Sequence, residues 1–330
     1  MGVAPKTLWR ILALVVIGGA AWFGYMQLRA DSEEGPVGEV EFTYFAEDST
    51  ATVGLAGEFP PENLPPLSRP LGIDADGERL YVALGDAAVV GAFTYRGGHL
   101  ATLSVPAAEG VPAAYPIDVA SLSDGNLAVV DTASNRVVVL DPEDPFADVR
   151  VLGGEEDAPK QPTAVTATNG SLFVADAGDK LIKEYREDGT FVRSFGKRLD
   201  PRLTFVGGLH ANEGMLYVSD SNASRVLVLD LETGRLKTTV QERLGLPRGV
   251  TTDDAGRVYV AEEFDAQVAV FDPTGFTLMD VVGDIRTEGL EAGGALSIPD
   301  DAFWDSGGQH LYVTDSAQGR VKVYNVRREP

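Results

Sequence analysis

The residues of this 330-residue chain best suited to acid–base or metal chemistry are His99, His210 and His310, because cysteine is absent. Without cysteine no disulfide, thiolate metal site or cysteine nucleophile can form. A catalytic metal held by the histidines would need all three to meet on one ion. No Gly-x-Ser-x-Gly elbow, phosphate loop or metal-ligand spacing accompanies them. A second set of polar side chains sits at or beside short Pro- or Gly-led apolar segments. These are Arg69, Tyr115, Asp118, Thr163, Arg248, Asp300 and Asp301, with Gly207 at the matching place in one segment. Arginines so placed can fork a carboxylate. Asp118 and Asp300 can instead hold a cation, or the set can hold water alone.

A repeat brings these side chains together. One phrase recurs six times: LYVALGDAAVVGAF from Leu80, LAVVDTASNRVVVLD from Leu127, LFVADAGDKLIKEY from Leu172, LYVSDSNASRVLVLD from Leu216, VYVAEEFDAQVAVFD from Val258 and LYVTDSAQGRVKVYN from Leu311. A period of roughly 40–50 residues with several strands per unit marks a β-propeller or a related array. One such unit cannot bury its own faces, so the copies must assemble.

Each copy opens on an apolar segment such as RPLGIDA or YPIDVAS, turns at a glycine, and continues into the LYVAD-like run. That run is nearly all apolar, as a strand buried on both faces should be. RVVVLD-like alternation follows, the pattern of a strand with one wetter face. Five copies add a fourth strand, for example HLATLSV or TFVRSFG. The expected fold is all-β: a six-bladed β-propeller of four-stranded antiparallel blades, preceded by one N-terminal transmembrane helix. The sixth copy lacks an outer strand. Glu39–Ala46 (EVEFTYFA) alternates with period two and is predicted to pair beside Val321–Val326. The propeller then covers 39–330, with closing strand 39–46 in a last blade over 296–326. Closure of this kind removes the exposed sheet edge. The proline-rich stretch that follows, TVGLAGEFPPENLPPLSRP, reads as a stiff surface connection.

In a propeller the first strand of every blade lines the axis. The polar set therefore becomes an axial ring, a default ligand site. Arg69 and Arg248 are predicted to fall at equivalent positions two blades apart, with Asp300 between them. Among the histidines only His210 lies near an inner strand; His99 precedes an outer strand and His310 begins a second one. They cannot share a metal, and neither metal nor cofactor is expected.

The run Ile11 to Leu28 carries no charge, and Leu8 and Trp9 extend it past Arg10. About 20 such residues span a bilayer core as a helix. Lys6 and Arg10 precede the run; Asp31, Glu33 and Glu34 follow it. The positive-inside bias puts the tail in the cytoplasm and the body outside. Residues 1–30 are thus read as cytoplasmic tail and signal anchor, contacting the membrane through 8–28, and 31–38 as an acidic stalk. A cleaved signal peptide is the rival, but Leu28 and Arg29 before Ala30 make a poor cleavage site.

The units resemble NHL repeats over about residues 68–326. The carrying pairs are Asp131 and Arg136, Asp220 and Arg225, and Asp315 and Arg320, with Asp176 and Lys180, Glu262 and Gln267, and Leu84 and Val89 in the variant copies. Such pairs build the blade: the carboxylate accepts turn amides and the cation pairs with it. The resemblance implies the toroid but no single activity, since such folds host many functions. Some lyases with this fold hold a metal on inner-strand histidines, and gluconolactonase-like propellers use a Glu-Gly-Pro glutamate. Here Glu34-Gly35-Pro36 lies in the stalk, so no enzyme is expected. The expected role is binding, sensing or scaffolding at the cell envelope, with a protein, peptide or glycan partner. An extracytoplasmic hydrolase or lyase is the alternative.

The net charge is −23, and every acidic residue lies after position 30. Such a body repels phosphate backbones. Its densest basic run is RSFGKRLDPR, Arg193 to Arg202. Mobility-shift titration should show no RNA or DNA binding at physiological salt. Micromolar affinity with a steep salt slope would overturn this.

Overall fold

The computed structural model of this chain describes residues 53–59, 66–144, 149–154, 156–200, 202–283 and 294–326. The predicted membrane helix, the stalk and Glu39–Ala46 lie outside these residues. The described chain forms six four-stranded sheets, all antiparallel. It is an all-β six-bladed propeller.

The inner strands are Pro70–Ala75, Pro116–Ser121, Pro162–Thr168, Val206–Asn212, Pro247–Thr252 and Pro299–Asp305. All six start on one face of the ring, called the top here, and run to the bottom. The second strand of each blade carries the LYVAD-like run. Leu80–Leu84, Leu127–Asp131 and Val258–Glu262 are buried at every residue. Outer strands such as Phe191–Phe195 bury alternate residues and leave the others wet. Six apolar clusters lie between successive blades. The one joining blades three and four, for example, packs Phe173 and Phe195 against Leu216 and Leu227. No blade keeps a core to itself, which is why the repeat array folds as a unit.

The ring closes through an N-terminal strand, and that strand is Val53–Phe59 rather than Glu39–Ala46. It pairs with Arg320–Val326 from Val53 opposite Val326 to Phe59 opposite Val321. Two side chains fix the choice. Phe59 is 0% exposed and packs on Phe93 of blade one, with ring centroids 5.3 Å apart. Glu58 reaches the buried Lys322 at 2.9 Å and approaches Arg320 at 3.6 Å. Val53–Phe59, read as part of a surface connection, is therefore the closing strand, with Phe59 in the core. Its two glycines and a bulge between Leu55 and Gly57 blur the alternation that marks a strand.

Phe59→Ala should lower stability by about 3–5 kcal/mol, the usual range for emptying a buried aromatic site. Deleting Val53–Phe59 should lower the melting temperature further by exposing the edge at Arg320–Val326. Thermal unfolding of the two variants checks both. A deletion that melts like the parent chain would refute the closing strand.

Candidate functional site: the axial cavity and its top mouth

Inner strands pair with a neighbour on one side only. Their axial side is completed by side chains that reach to the next blade. Asp301 of blade six accepts the Ile73 N–H of blade one at 3.0 Å. Asp74 of blade one accepts the Ser121 N–H at 2.7 Å, and Asp118 of blade two accepts the Val165 N–H at 2.8 Å. Thr163 donates to the Val206 carbonyl at 2.7 Å. The Ser221 hydroxyl donates to the Pro247 carbonyl. Arg248 donates to Asp300 at 3.3 Å, returning the chain of contacts to blade six. The fit is close enough to require glycine. A Cβ on Gly72 would lie 2.4 Å from Asp118 Oδ1, and one on Gly249 would lie 2.1 Å from Asp301 Oδ1.

On the top face a carboxylate ends the second strand in five blades and caps the residues that lead into an inner strand. Asp131 accepts from the Tyr115 N–H at 2.9 Å. Asp176 accepts from Lys160 and Gln161, Asp220 from Thr204 and Phe205, Glu262 from Gly245 and Leu246, and Asp315 from Ser297 and Ile298. Arg136 pairs with Asp131 and Arg225 with Asp220, at 3.2 and 2.7 Å. In blade three the cation on Asp176 is Lys183 at 2.8 Å, not Lys180. Lys183, in the next strand Leu181–Arg186, can reach Asp176 because it stands opposite Val174, two residues away and so on the same face of the sheet.

Blade one has Leu84 where the others have a carboxylate. No side-chain acceptor meets its leading residue, Arg69. The Arg69 N–H bonds instead to the Leu67 carbonyl at 2.9 Å, and the backbone turns left-handed with φ 57°. None of the other five leading residues, Tyr115, Gln161, Phe205, Leu246 and Ile298, has a positive φ. Arg69 is exposed and forms no ion pair among the described residues.

Every residue of the predicted axial set lines one cavity of about 280 Å³ along the axis. Arg69, Tyr115, Arg248 and Asp300 form its top mouth; Asp118 and Asp301 lie deeper. The predicted symmetry is corrected: Arg69 precedes Pro70, whereas Arg248 follows Pro247. Asp300 pairs with Arg248, whereas Arg69 pairs with no carboxylate among the described residues. Of the histidines, only His210 lines the cavity. His99 begins an outer strand and His310 begins a second strand.

Two cavity residues escape a reading by sequence position, Asp74 and Thr252. Neither belongs to a repeated pattern, and their roles depend on the adjoining blade. Thr252 accepts from Asn212 Nδ2 at 2.8 Å and lies 3.0 Å from His210 Nε2. Burial pushes the His210 pKa down to about 4, so the ring is neutral at neutral pH. Burial acts in the opposite sense on the acids. It raises Asp301 to about 7 and Asp74 to about 6. Asp118 is raised by burial and then by the charge of Asp301, and Asp300 is raised by burial.

These shifts give stability a definite pH dependence. A carboxyl whose folded pKa is raised holds its proton more tightly when folded. Its contribution is largest below the unfolded value of 3.8 and is lost as pH rises to about 6 for Asp74 and about 7 for Asp301. From these groups the fold should gain on the order of 2 kcal/mol or more between about pH 8 and about pH 5. Asp301→Asn should flatten that part of the profile. Denaturant melts of both proteins across the range check it, and parallel profiles would defeat the assignment.

No known protein family matches the chain, and no curated protein is similar to it in sequence. Similar solved structures exist. A catalytically inactive virginiamycin B lyase from Staphylococcus aureus with quinupristin aligns at TM-score 0.58 and 12% identity, over 79% of this chain and 81% of that one. The WD40 β-propeller domain of Doa1 aligns at 0.55 and 13%, over 78% and 79%. A chain of the nidogen/laminin complex aligns at 0.53 and 19%, over 65% and 80%. At these identities the likeness is one of fold, and it is to propellers whose names attach to unlike functions.

Proposed function

We propose that the chain is a membrane-anchored propeller of NHL-repeat type whose body lies outside the cytoplasm. It acts as a binding, sensing or scaffolding module at the cell envelope. The observation that carries this reading is the composition of the top face. Phe264, in the loop after Val258–Glu262, is 79% exposed. Its neighbour Glu263 approaches Arg248 at the mouth. Ile298, also partly exposed, leads into blade six. An apolar spot beside the charged mouth, carried on a cross-linked ring, suits capture of a protein, peptide or glycan. The uncharged run at Ile11–Leu28 and its charge flanks support the anchor and its direction.

The second reading, an extracytoplasmic hydrolase or lyase, draws on His210, whose neutral imidazole lines the axial cavity. Its sign would be turnover that His210→Ala abolishes.

External protease on intact cells should digest the body and spare the segment before Arg10. Phe264→Asp should cut recovery of cross-linked envelope partners at least about tenfold, the cost of losing one interface anchor, and leave the melting temperature unchanged. A body protected until lysis would sink the topology. Undiminished cross-linking would sink the top face as the binding surface.

A further inference from the structure

On the bottom face a groove of about 440 Å³ lies between blades five and six. The turn after Pro247–Thr252 forms one side of it. Met279, in the outer strand Leu278–Val282 of blade five, is 44% exposed and contributes an apolar wall, with the exposed Pro273 and Ala255 beside it. Trp304 forms the wall from blade six. Its ring stacks parallel on Tyr259, with centroids 6.2 Å apart.

Three charged side chains line this groove, and two of them answer each other. Arg257 is 7% exposed and donates to Asp253 at 2.6 Å. Asp253 also accepts the Tyr259 hydroxyl at 2.9 Å. Asp254 is different. It is exposed and forms no ion pair among the described residues. Its carboxylate accepts from Trp304 Nε1 at 3.2 Å and from Gln309 Nε2 at 3.0 Å. Both donors are neutral. They fix the carboxylate at the rim without cancelling its charge.

An apolar slot with one fixed, exposed carboxylate is selective. An anion is repelled by Asp254. A neutral apolar side chain fills the slot and leaves the charge unanswered. A metal ion would find too few ligands, since no group of three or more acids or histidines among the described residues is placed to hold one. An alkyl chain that ends in a cation meets both demands. Its methylenes lie along Met279 and Pro273 while its head group reaches the carboxylate. Lysine and arginine are such side chains. The groove opens on the bottom face, so a backbone carrying one of them passes over Ala255 and Pro273. The chain's net charge of −23 draws a basic partner toward it.

We propose that the bottom groove between blades five and six docks a lysine or arginine side chain carried on a peptide segment of a partner protein. The proposal goes beyond the top-face reading above and does not depend on it.

The test uses the full chain in detergent with Trp9→Phe and Trp22→Phe, which leaves Trp304 as the sole indole. Its fluorescence is titrated at low salt, where charge pairs are least screened. The probes are acetyl-Ala-Lys-Ala-amide and its arginine, norleucine and glutamate versions. The lysine and arginine peptides should bind at least about threefold more tightly than the norleucine peptide, the scale of a part-exposed ion pair. The glutamate peptide should bind least. Asp254→Asn should erase the preference for a cation. Because that change also touches Trp304 and Gln309, a second variant leaves the carboxylate alone. Met279→Lys, at an exposed position, tethers a cation in the groove; it should melt like the parent and abolish peptide binding. n-Butylamine should bind more weakly than the lysine peptide, and Phe264→Asp, on the opposite face, should leave the titration unchanged. Equal binding of the lysine and norleucine peptides would overturn the proposal, as would a preference that survives Asp254→Asn. No response by fluorescence or calorimetry at millimolar peptide would do the same. n-Butylamine binding as tightly as the peptide would mark a small-amine site and defeat docking of a chain. Loss of binding in Phe264→Asp would move the peptide to the top face and defeat it equally.

Discussion

Each inner strand has one paired edge and one bare edge, and the bare edges of six blades must be completed around a single axis. That constraint organises the molecule. Backbone ladders cannot do the work, because adjacent inner strands belong to different sheets. Carboxylates, hydroxyls and one guanidinium bridge the gaps instead: Asp301 to Ile73, Asp74 to Ser121, Asp118 to Val165, Thr163 to Val206, Ser221 to Pro247 and Arg248 to Asp300. Apolar clusters between blades supply most of the driving force. The polar bridges set how close the blades stand, and the glycines at 72 and 249 permit that distance. Buried acids are costly unless bonded, and here Asp301, Asp74 and Asp118 each accept a backbone N–H of the next blade.

The same axis explains why structure and candidate site cannot be separated. Polar groups that stitch the blades are also the groups that line the cavity. Asp300 shows both duties in one side chain: one oxygen holds Arg248, and the other has no partner in the protein. Arg69 marks a local omission. Blade one has Leu84 where the other blades have a capping acid, and there the Arg69 N–H turns to the Leu67 carbonyl with φ 57°. Departures from a repeat are where such a fold can depart from its own symmetry.

Much of this was legible before any coordinates. Second strands announce themselves because burial on both faces demands uninterrupted apolar runs, and six such runs at near-constant spacing leave few folds. Asp131 with Arg136 and Asp220 with Arg225 were readable as blade-building pairs because the spacing repeats. Other features depend on partners far away in the chain. Val53–Phe59 looks like a linker until Phe93 and Lys322 are placed beside it. Lys180 is the nearer match to the repeat, yet hairpin geometry delivers Lys183 to Asp176. Asp74 carries no motif, and only the neighbouring blade shows what it holds. Local pattern reveals a strand or a turn. It is silent on which carboxylate crosses to which blade.

The closing strand also orders events in time. Glu58 and Lys322 are 264 residues apart in the chain, yet they meet in one blade. During synthesis, then, one of the first segments of the body must wait, unpaired, for nearly the last. Loop closure across that span is slow compared with hairpin formation. Blades one to five can assemble as an open arc while the final residues are still being made. The cavity does not exist until the arc joins, so any ligand of the axis meets only finished molecules.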